Sequence, residues 1–257
     1  MNTTSAHNCE AVVIEKMPTA VLLVGGLGTR LRSVISEKPK ALAPIGDTPF
    51  LKVLLLELRS QGIERIVMCT GHFAEQIEEE FGDGSELGIA IEYSQELQPL
   101  GTAGAIKLAE KHLEDCREFI VLNGDSFLEL DFKAFVRFHR ESRSVATIAL
   151  RKVSNAARYG TVEVDKDGKV CSFREKLGIE EPGLINGGIY IFEREVLSGL
   201  PEGASSLEKD VLPKLLERSV CGFQTNGLFI DIGTPEDYAK AQLLLKRNSS
   251  LRDANGE

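Results

Sequence analysis

The sequence predicts an α/β protein built on a mixed, mostly parallel sheet flanked by helices. Short β-branched apolar runs at 19–24, 65–70, 89–93, 118–122 and 144–150 alternate with stretches of helical apolar spacing. That rhythm is the signature of βαβ units. Two of the helical stretches stop at a glycine, Gly62 and Gly82, the residue that most easily ends a helix in a left-handed turn. The first apolar run stops in a cluster of glycines, and in open α/β sheets ligands gather at the carboxyl ends of strands.

Residues 19–24 (TAVLLV) read as a buried parallel strand, 50–61 as a helix, 65–70 (RIVMCT) as a strand and 73–81 as a helix. A strand at 89–93, a helix at 103–112, a strand at 118–122, a helix at 131–141 and a strand at 144–150 follow. After Arg151 the pattern changes. Residues 159–164 and 169–174 flank the turn 165–168 and predict a hairpin, which brings antiparallel strands into the sheet. A strand at 184–192, a helix at 207–217, a strand at 228–232 and a helix at 235–246 complete the chain, with Pro235 tolerated in the first helical turn. Residues 1–18 read as a disordered lead-in, 19–247 as a single domain and 248–257 as a flexible tail.

The chain has 257 residues, 42% of them hydrophobic, enough for a large core. Acidic residues outnumber basic ones 39 to 30, which argues against a nucleic-acid partner, whose backbone needs clustered cations. A local nucleotide site remains compatible with that balance. The five cysteines are scattered and odd in number, the pattern of thiols in a reducing cytoplasm rather than of a disulfide framework. No apolar run reaches the roughly 20 residues of a membrane span, and the start lacks the order of a secretory signal. The expectation is a cytoplasmic protein without membrane or nucleic-acid partners; the sequence leaves a homodimer open.

Four constellations carry chemistry. Gly25-Gly26-Leu27-Gly28-Thr29-Arg30-Leu31 directly follows the first strand. Its glycines admit backbone N–H groups close to a phosphate, and Arg30 offers a permanent planar cation. Lys40, behind Pro39, adds a second cation. The stretch is neither a dinucleotide fingerprint nor a P-loop. Asn123-Gly124-Asp125 ends the strand at 118–122, and Asp231 ends the strand at 228–232. Two carboxylates at strand ends can hold Mg²⁺ while triphosphate oxygens complete its octahedron; Asn-Gly-Asp is also favourable turn chemistry. Glu96 stands before Leu100-Gly101-Thr102-Ala103-Gly104, small residues that open a helix and equally suit close helix–sheet packing. Last come Glu175-Lys176, Asn186 and Glu208; on composition alone the lysine and Glu208 read as surface charges. Asp237 suits the positive end of the last helix.

The run GGLGTRLRSVISEKPKALAPI resembles the N-terminal signature of the sugar-nucleotide pyrophosphorylases, and the resemblance extends from about Thr19 to Tyr238. It implies a Rossmann-like fold of the nucleotide-diphospho-sugar transferase type and the condensation of an NTP with a sugar 1-phosphate. It implies Asp125 and Asp231 as Mg²⁺ ligands, and a nucleotide site made by Gly25, Gly26, Gly28, Thr29, Glu96, Gly101 and Thr102. For the sugar phosphate it implies Gly124, Glu175, Lys176, Asn186 and Glu208. Guanine presents N1–H and N2–H₂ donors on one edge, which a carboxylate can accept together, so Glu96 favours GTP; Gln95 could stand in its place. The family commonly carries proline soon after Arg-Leu, whereas this chain has Arg32-Ser33-Val34. In that it resembles the bacterial branch acting on D-glycero-D-manno-heptose 1-phosphate.

The sugar phosphate is already a nucleophile at neutral pH, so catalysis reduces to holding two anions in line. On this reading Arg30 and Lys40 bind the departing pyrophosphate, Lys176 the attacking phosphate, and no histidine is needed as a base. The alternatives are mannose 1-phosphate as the acceptor, a uridylyl or thymidylyl transfer, or a catalytically silent sugar-nucleotide sensor. The intact set Arg30, Lys40, Asp125, Lys176 and Asp231 speaks against the sensor.

Overall fold

A computed structural model describes residues 16–26, 38–174, 178 and 180–253, with side chains as far as 245. In chain order the first half contains β1 (Thr19–Leu23), β2 (Pro44–Ile45), β3 (Thr48–Pro49), α1 (Phe50–Ser60), β4 (Arg65–Thr70) and α2 (Ala74–Phe81). It continues through β5 (Ala90–Gln95), α3 (Gly101–Leu108), β6 (Glu118–Asn123), β7 (Ser126–Leu128) and α4 (Phe132–Ser142). The second half contains β8 (Ala146–Val153), β9 (Thr161–Val164), β10 (Val170–Arg174), β11 (Gly183–Glu193), α5 (Leu212–Leu215), β12 (Val220–Thr225), β13 (Phe229–Asp231) and α6 (Pro235–Asp253).

The main sheet runs β10-β9-β11-β6-β1-β4-β5, with β8 joined to β11 and β12. Strands β6, β1, β4 and β5 are parallel, and β11 is antiparallel to β6. This is the predicted mixed, mostly parallel architecture. Because side chains alternate along a strand, the central strand feeds two cores. Ala20 and Leu22 of β1 join the layer under α1, α4 and α6, while Val21 joins the layer under α3 and α5. All three are fully buried, which is why β1 reads as an uninterrupted apolar run.

Helix α1 buries Phe50, Leu51, Leu54, Leu55 and Leu58 at helical spacing and stops where Gly62 takes φ +85°. Helix α4 starts on Asp131, whose side chain accepts the Ala134 amide at 2.9 Å. The expected hairpin is present as β9 and β10, closed by Gly168 at φ +79°. The helix expected at 207–217 is present from 207 to 215, as a π-helical turn at Leu207–Val211 that runs into the short α5. Pro213 stands where the two meet: it supplies no N–H and fits only the first turn of a helix. Strand β12 was not predicted, because Gly222 and Gln224 interrupt its apolar pattern. It pairs in parallel with β8, and a Cβ at Gly222 would lie 2.4 Å from Leu150 Cδ1. Helix α6, expected to 246, extends to Asp253.

Candidate active site

The parallel strands deliver their carboxyl ends to one edge of the sheet. At the end of β1, Val24 donates its amide to the Cys69 carbonyl at 3.0 Å, and Gly25 and Gly26 follow. At the end of β4 stands Gly71, and at the end of β5 stands Glu96, whose amide donates to the Thr70 carbonyl at 2.9 Å. The Glu96 carboxylate lies over both glycines: a Cβ at Gly71 would come within 2.8 Å of Oε1, and one at Gly25 within 3.1 Å. The glycines therefore make room for an acid as well as for backbone approach. Glu96 Oε2 accepts the Leu100 amide at 3.0 Å. Burial raises its pKa, and the Leu100 hydrogen bond partly opposes that.

Glu96, Gly25, Gly26, Gly101 and Thr102 all line a cavity of about 310 Å³. Gly101 has φ +68°, and a Cβ there would meet the Ser205 carbonyl oxygen at 2.5 Å. That carbonyl accepts the Ala103 amide at 3.0 Å, so the start of α3 is already capped by the 203–208 strap. Thr102 accepts the Leu207 amide through Oγ1 at 2.7 Å and donates to Glu208 Oε2 at 3.0 Å.

The carboxylates meet at the next strand end. Gly124, after β6, donates its amide to the Leu23 carbonyl at 3.0 Å, and a Cβ there would lie 2.4 Å from Val24 Cγ1. Gly124 lines neither cavity described here; its role in the structure is close packing against the end of β1. The ribbon of β7 and β13 aligns Asp231 with Ser126, and Ile232 donates its amide to the Asp125 carbonyl at 3.0 Å. Asp125 and Asp231 are thus brought side by side from distant parts of the chain. Lys40, nearly buried on a turn at Lys40–Leu42, places Nζ 2.7 Å from Asp125 Oδ2 and 3.8 Å from Asp231 Oδ1. Burial first, and then the Asp125 charge, raise the Asp231 pKa, while Lys40 and the Gly233 amide lower it. An all-oxygen donor pair that already attracts an ammonium group fits a hard divalent cation such as Mg²⁺.

A second cavity, of about 260 Å³, adjoins the first and shares Asn123, Asp125 and Glu208 with it. Asn186 lies on its wall, where β11 slips register against β8. Its Nδ2 donates to the Tyr190 hydroxyl at 2.6 Å, and its Oδ1 accepts the Gly188 amide at 3.0 Å. The Tyr190 hydroxyl in turn donates to Glu208 Oε1 at 3.4 Å. Tyr159 and Phe229, ring centroids 5.4 Å apart and edge to face, close another side. Burial, followed by the Asp231 charge, raises the Tyr159 pKa.

Of the residues expected at the site, Gly25, Gly26, Glu96, Gly101, Thr102, Asp125, Asn186, Glu208 and Asp231 line these two cavities. Gly28, Thr29, Arg30, Glu175 and Lys176 lie outside the described residues. Lys40, expected at the pyrophosphate, is found between the two acids. Gly71, Tyr159 and Tyr190 escaped the sequence reading; for Gly71 the available signal was a glycine directly after a parallel strand. Asp237 sits in the first turn of α6 as expected, with its amide donated to Thr234 Oγ1 at 3.3 Å. Burial pushes its pKa up, but hydrogen bonds from Arg158 and Thr234 outweigh that and leave it lowered. Among the described residues all cysteines are free thiols, and no helix is long and apolar enough to cross a membrane.

Known proteins resemble this chain in sequence and in fold. The chain is 43% identical over 229 residues to D-glycero-alpha-D-manno-heptose 1-phosphate guanylyltransferase of Aneurinibacillus thermoaerophilus, covering 87% of this chain and 96% of that protein. It is 38% identical to mannose-1-phosphate guanylyltransferase of Mycobacterium tuberculosis, covering 93% and 68%. The crystal structure of HddC from Yersinia pseudotuberculosis superposes with a TM-score of 0.80 at 39% identity, covering 88% of this chain and 98% of HddC. The same protein in complex with GMP-PN superposes at 0.79. Residues 19–248, which include both cavities and both carboxylates, match the nucleotidyl transferase family, and the chain belongs to that family.

Proposed function

We propose that this protein transfers GMP from GTP to D-glycero-D-manno-heptose 1-phosphate in the cytoplasm, giving a GDP-sugar and pyrophosphate. The observation that carries the reading is the acid pair Asp125 and Asp231 at the junction of two adjoining cavities. The larger cavity has Glu96 for the guanine edge, and the second has Asn186 and Glu208 for sugar hydroxyls. The likeness to two heptose 1-phosphate guanylyltransferases, at 43% and 40% identity, supports the choice of sugar.

In the reaction a phosphate oxygen of the sugar phosphate forms a bond to the α-phosphorus, and the bond from that phosphorus to the bridging oxygen of pyrophosphate breaks. Asp125 and Asp231 would hold Mg²⁺, which supplies charge neutralisation at the triphosphate. Lys40 brings a further positive charge to the same point, close enough to exchange its carboxylate partner for a phosphate oxygen. Glu96, held by Leu100, presents acceptors to the N–H edge of guanine and repels the carbonyl edge of uracil. Arg30 and Lys176 are assigned to the leaving and attacking phosphates. These groups need only position and neutralise, and no side chain has to remove a proton.

Pyrophosphate release measured with each NTP against heptose and mannose 1-phosphates tests this. GTP with the heptose phosphate should give the highest kcat/KM; UTP turnover without GTP turnover would overturn the base assignment. The mannose-1-phosphate guanylyltransferase at 38% identity makes mannose 1-phosphate the rival acceptor.

A further inference from the structure

At the opposite end of β6 from Asp125, three ligand-type side chains converge. Glu118 opens β6, and its partner across the antiparallel pair is Glu193, the last residue of β11. Two acids directly opposite each other repel, and the flanking guanidinium groups, Arg140 Nη2 at 2.6 Å from Glu118 Oε1 and Arg117 Nη2 at 4.0 Å from Glu193 Oε1, offset part of that repulsion from outside the pair. His139 of α4 closes over the pair, with Nε2 3.6 Å from Glu193 Oε1 and 4.0 Å from Glu118 Oε2. Both distances exceed a hydrogen bond. The His139 side chain is 0% exposed and that of Glu118 4%, and among the described residues neither His139 Nε2 nor Glu118 Oε2 has a hydrogen-bond partner. The ligand atoms of the three residues all lie within 4.8 Å of one another. Orphaned polar atoms at such depth are costly.

The surroundings hold these groups in place as ligands. His139 Nδ1 lies 2.7 Å from Thr147 Oγ1, which contacts Ser144 Oγ at 3.1 Å. With the proton on Nδ1, Nε2 turns a lone pair inward, as a metal-binding imidazole does. Glu118 Oε1 is held by Arg140 Nε at 2.7 Å, which leaves Oε2 to face the cluster. Glu193 is partly exposed and opens a path from solvent.

We propose that Glu118, His139 and Glu193 bind one divalent ion of the zinc class, at a site separate from Asp125 and Asp231. One imidazole and two carboxylates suit Zn²⁺, which takes nitrogen and oxygen ligands at about 2.0–2.2 Å and accepts water as its fourth. Mg²⁺ demands near-octahedral oxygen coordination and is disfavoured here. Small inward shifts of the side chains bring the three ligand atoms to that radius. The ion would clamp α4 to the β6–β11 pair. The five-residue step from Glu118 to Asn123 along β6 puts it about 16 Å from the strand end beyond which Asp125 lies.

Zinc binding to the metal-stripped full chain tests this, measured by calorimetry in an Asp125→Asn, Asp231→Asn background that removes the other acid pair. One equivalent should bind, and at about 100-fold above its Kd the Tm should rise by roughly 5–10 °C. His139→Gln should abolish that equivalent, and Glu193→Gln should weaken it at least about tenfold. X-ray absorption should report nitrogen and oxygen ligands without sulfur. An equivalent that persists at full affinity in both variants, a sulfur-ligated ion, or no binding at all would overturn the proposal. If His139→Gln does not fold, Glu193→Gln at the partly exposed end decides alone.

Discussion

Thr102 donates to Glu208 across 3.0 Å, the side-chain member of a set of hydrogen bonds that ties the helix walling the first cavity to the strap walling the second. The same hydroxyl accepts the Leu207 amide, so an isosteric apolar residue would orphan that donor and leave Glu208 with only Ser206 and Tyr190 as donors. Thr102→Val should cost about 2 kcal/mol in positioning Glu208. The expected outcome in steady-state kinetics is a roughly 30-fold rise in KM for the sugar phosphate, with a smaller change in KM for GTP. Equal rises for both substrates would mean that α3 itself had shifted.

Glu96 is flanked by glycines, and that makes a two-sided test of base choice. Glu96→Gln should lower kcat/KM for GTP by about 10- to 100-fold and raise relative use of UTP. Gly71→Ala should do much the same without touching Glu96 chemically, because the new Cβ would stand 2.8 Å from its Oε1 and move the carboxylate. Competition between GTP and UTP in one pyrophosphate assay reads both variants.

Replacing Asp125 by Asn keeps the size of the side chain but removes the charge that faces Lys40 at 2.7 Å. Turnover should fall by about 10²–10³-fold with the fold intact. Excess magnesium should restore little of it. Circular dichroism and single-turnover kinetics separate loss of chemistry from loss of structure.

Cys69 lines the first cavity but is buried, and burial, with a smaller push from the Glu96 charge, raises its pKa to about 12. The thiolate is the reactive form, so raising the pH from 7 to 9 should leave Cys69 unalkylated while the exposed Cys171 is modified. Peptide mapping after iodoacetamide treatment gives the order. Early labelling of Cys69 would show that the cavity opens to depth.

The parallel half of the sheet was legible because β1, β4 and β6 are buried on both faces and so read as unbroken apolar runs. Asp125 and Asp231 were legible for a related reason, since each directly follows or ends an apolar strand. Strand β12 was hidden by Gly222, whose missing side chain serves Leu150 on a neighbouring strand. The place of Lys40 could not be read at all: its partners lie 85 and 191 positions further along the chain, and only the β7–β13 ribbon brings them together. Tyr190 reads as a core residue and is one, yet its hydroxyl reaches Glu208 at the cavity. Periodicity reports which face a side chain occupies and is blind to what its far end touches.

If the acid pair acts as proposed, the β7–β13 ribbon also sets when the protein becomes competent during synthesis. Chains emerge from the ribosome N-terminal end first, and the strands β1 to β6 can dock long before residue 231 exists. Until β13 lies against β7, Lys40 and Asp125 have each other but not Asp231. A nascent or truncated chain ending before Phe229 could therefore bury much of its core and still lack half of its acid pair. Competence arrives late, with the closing of a three-residue strand.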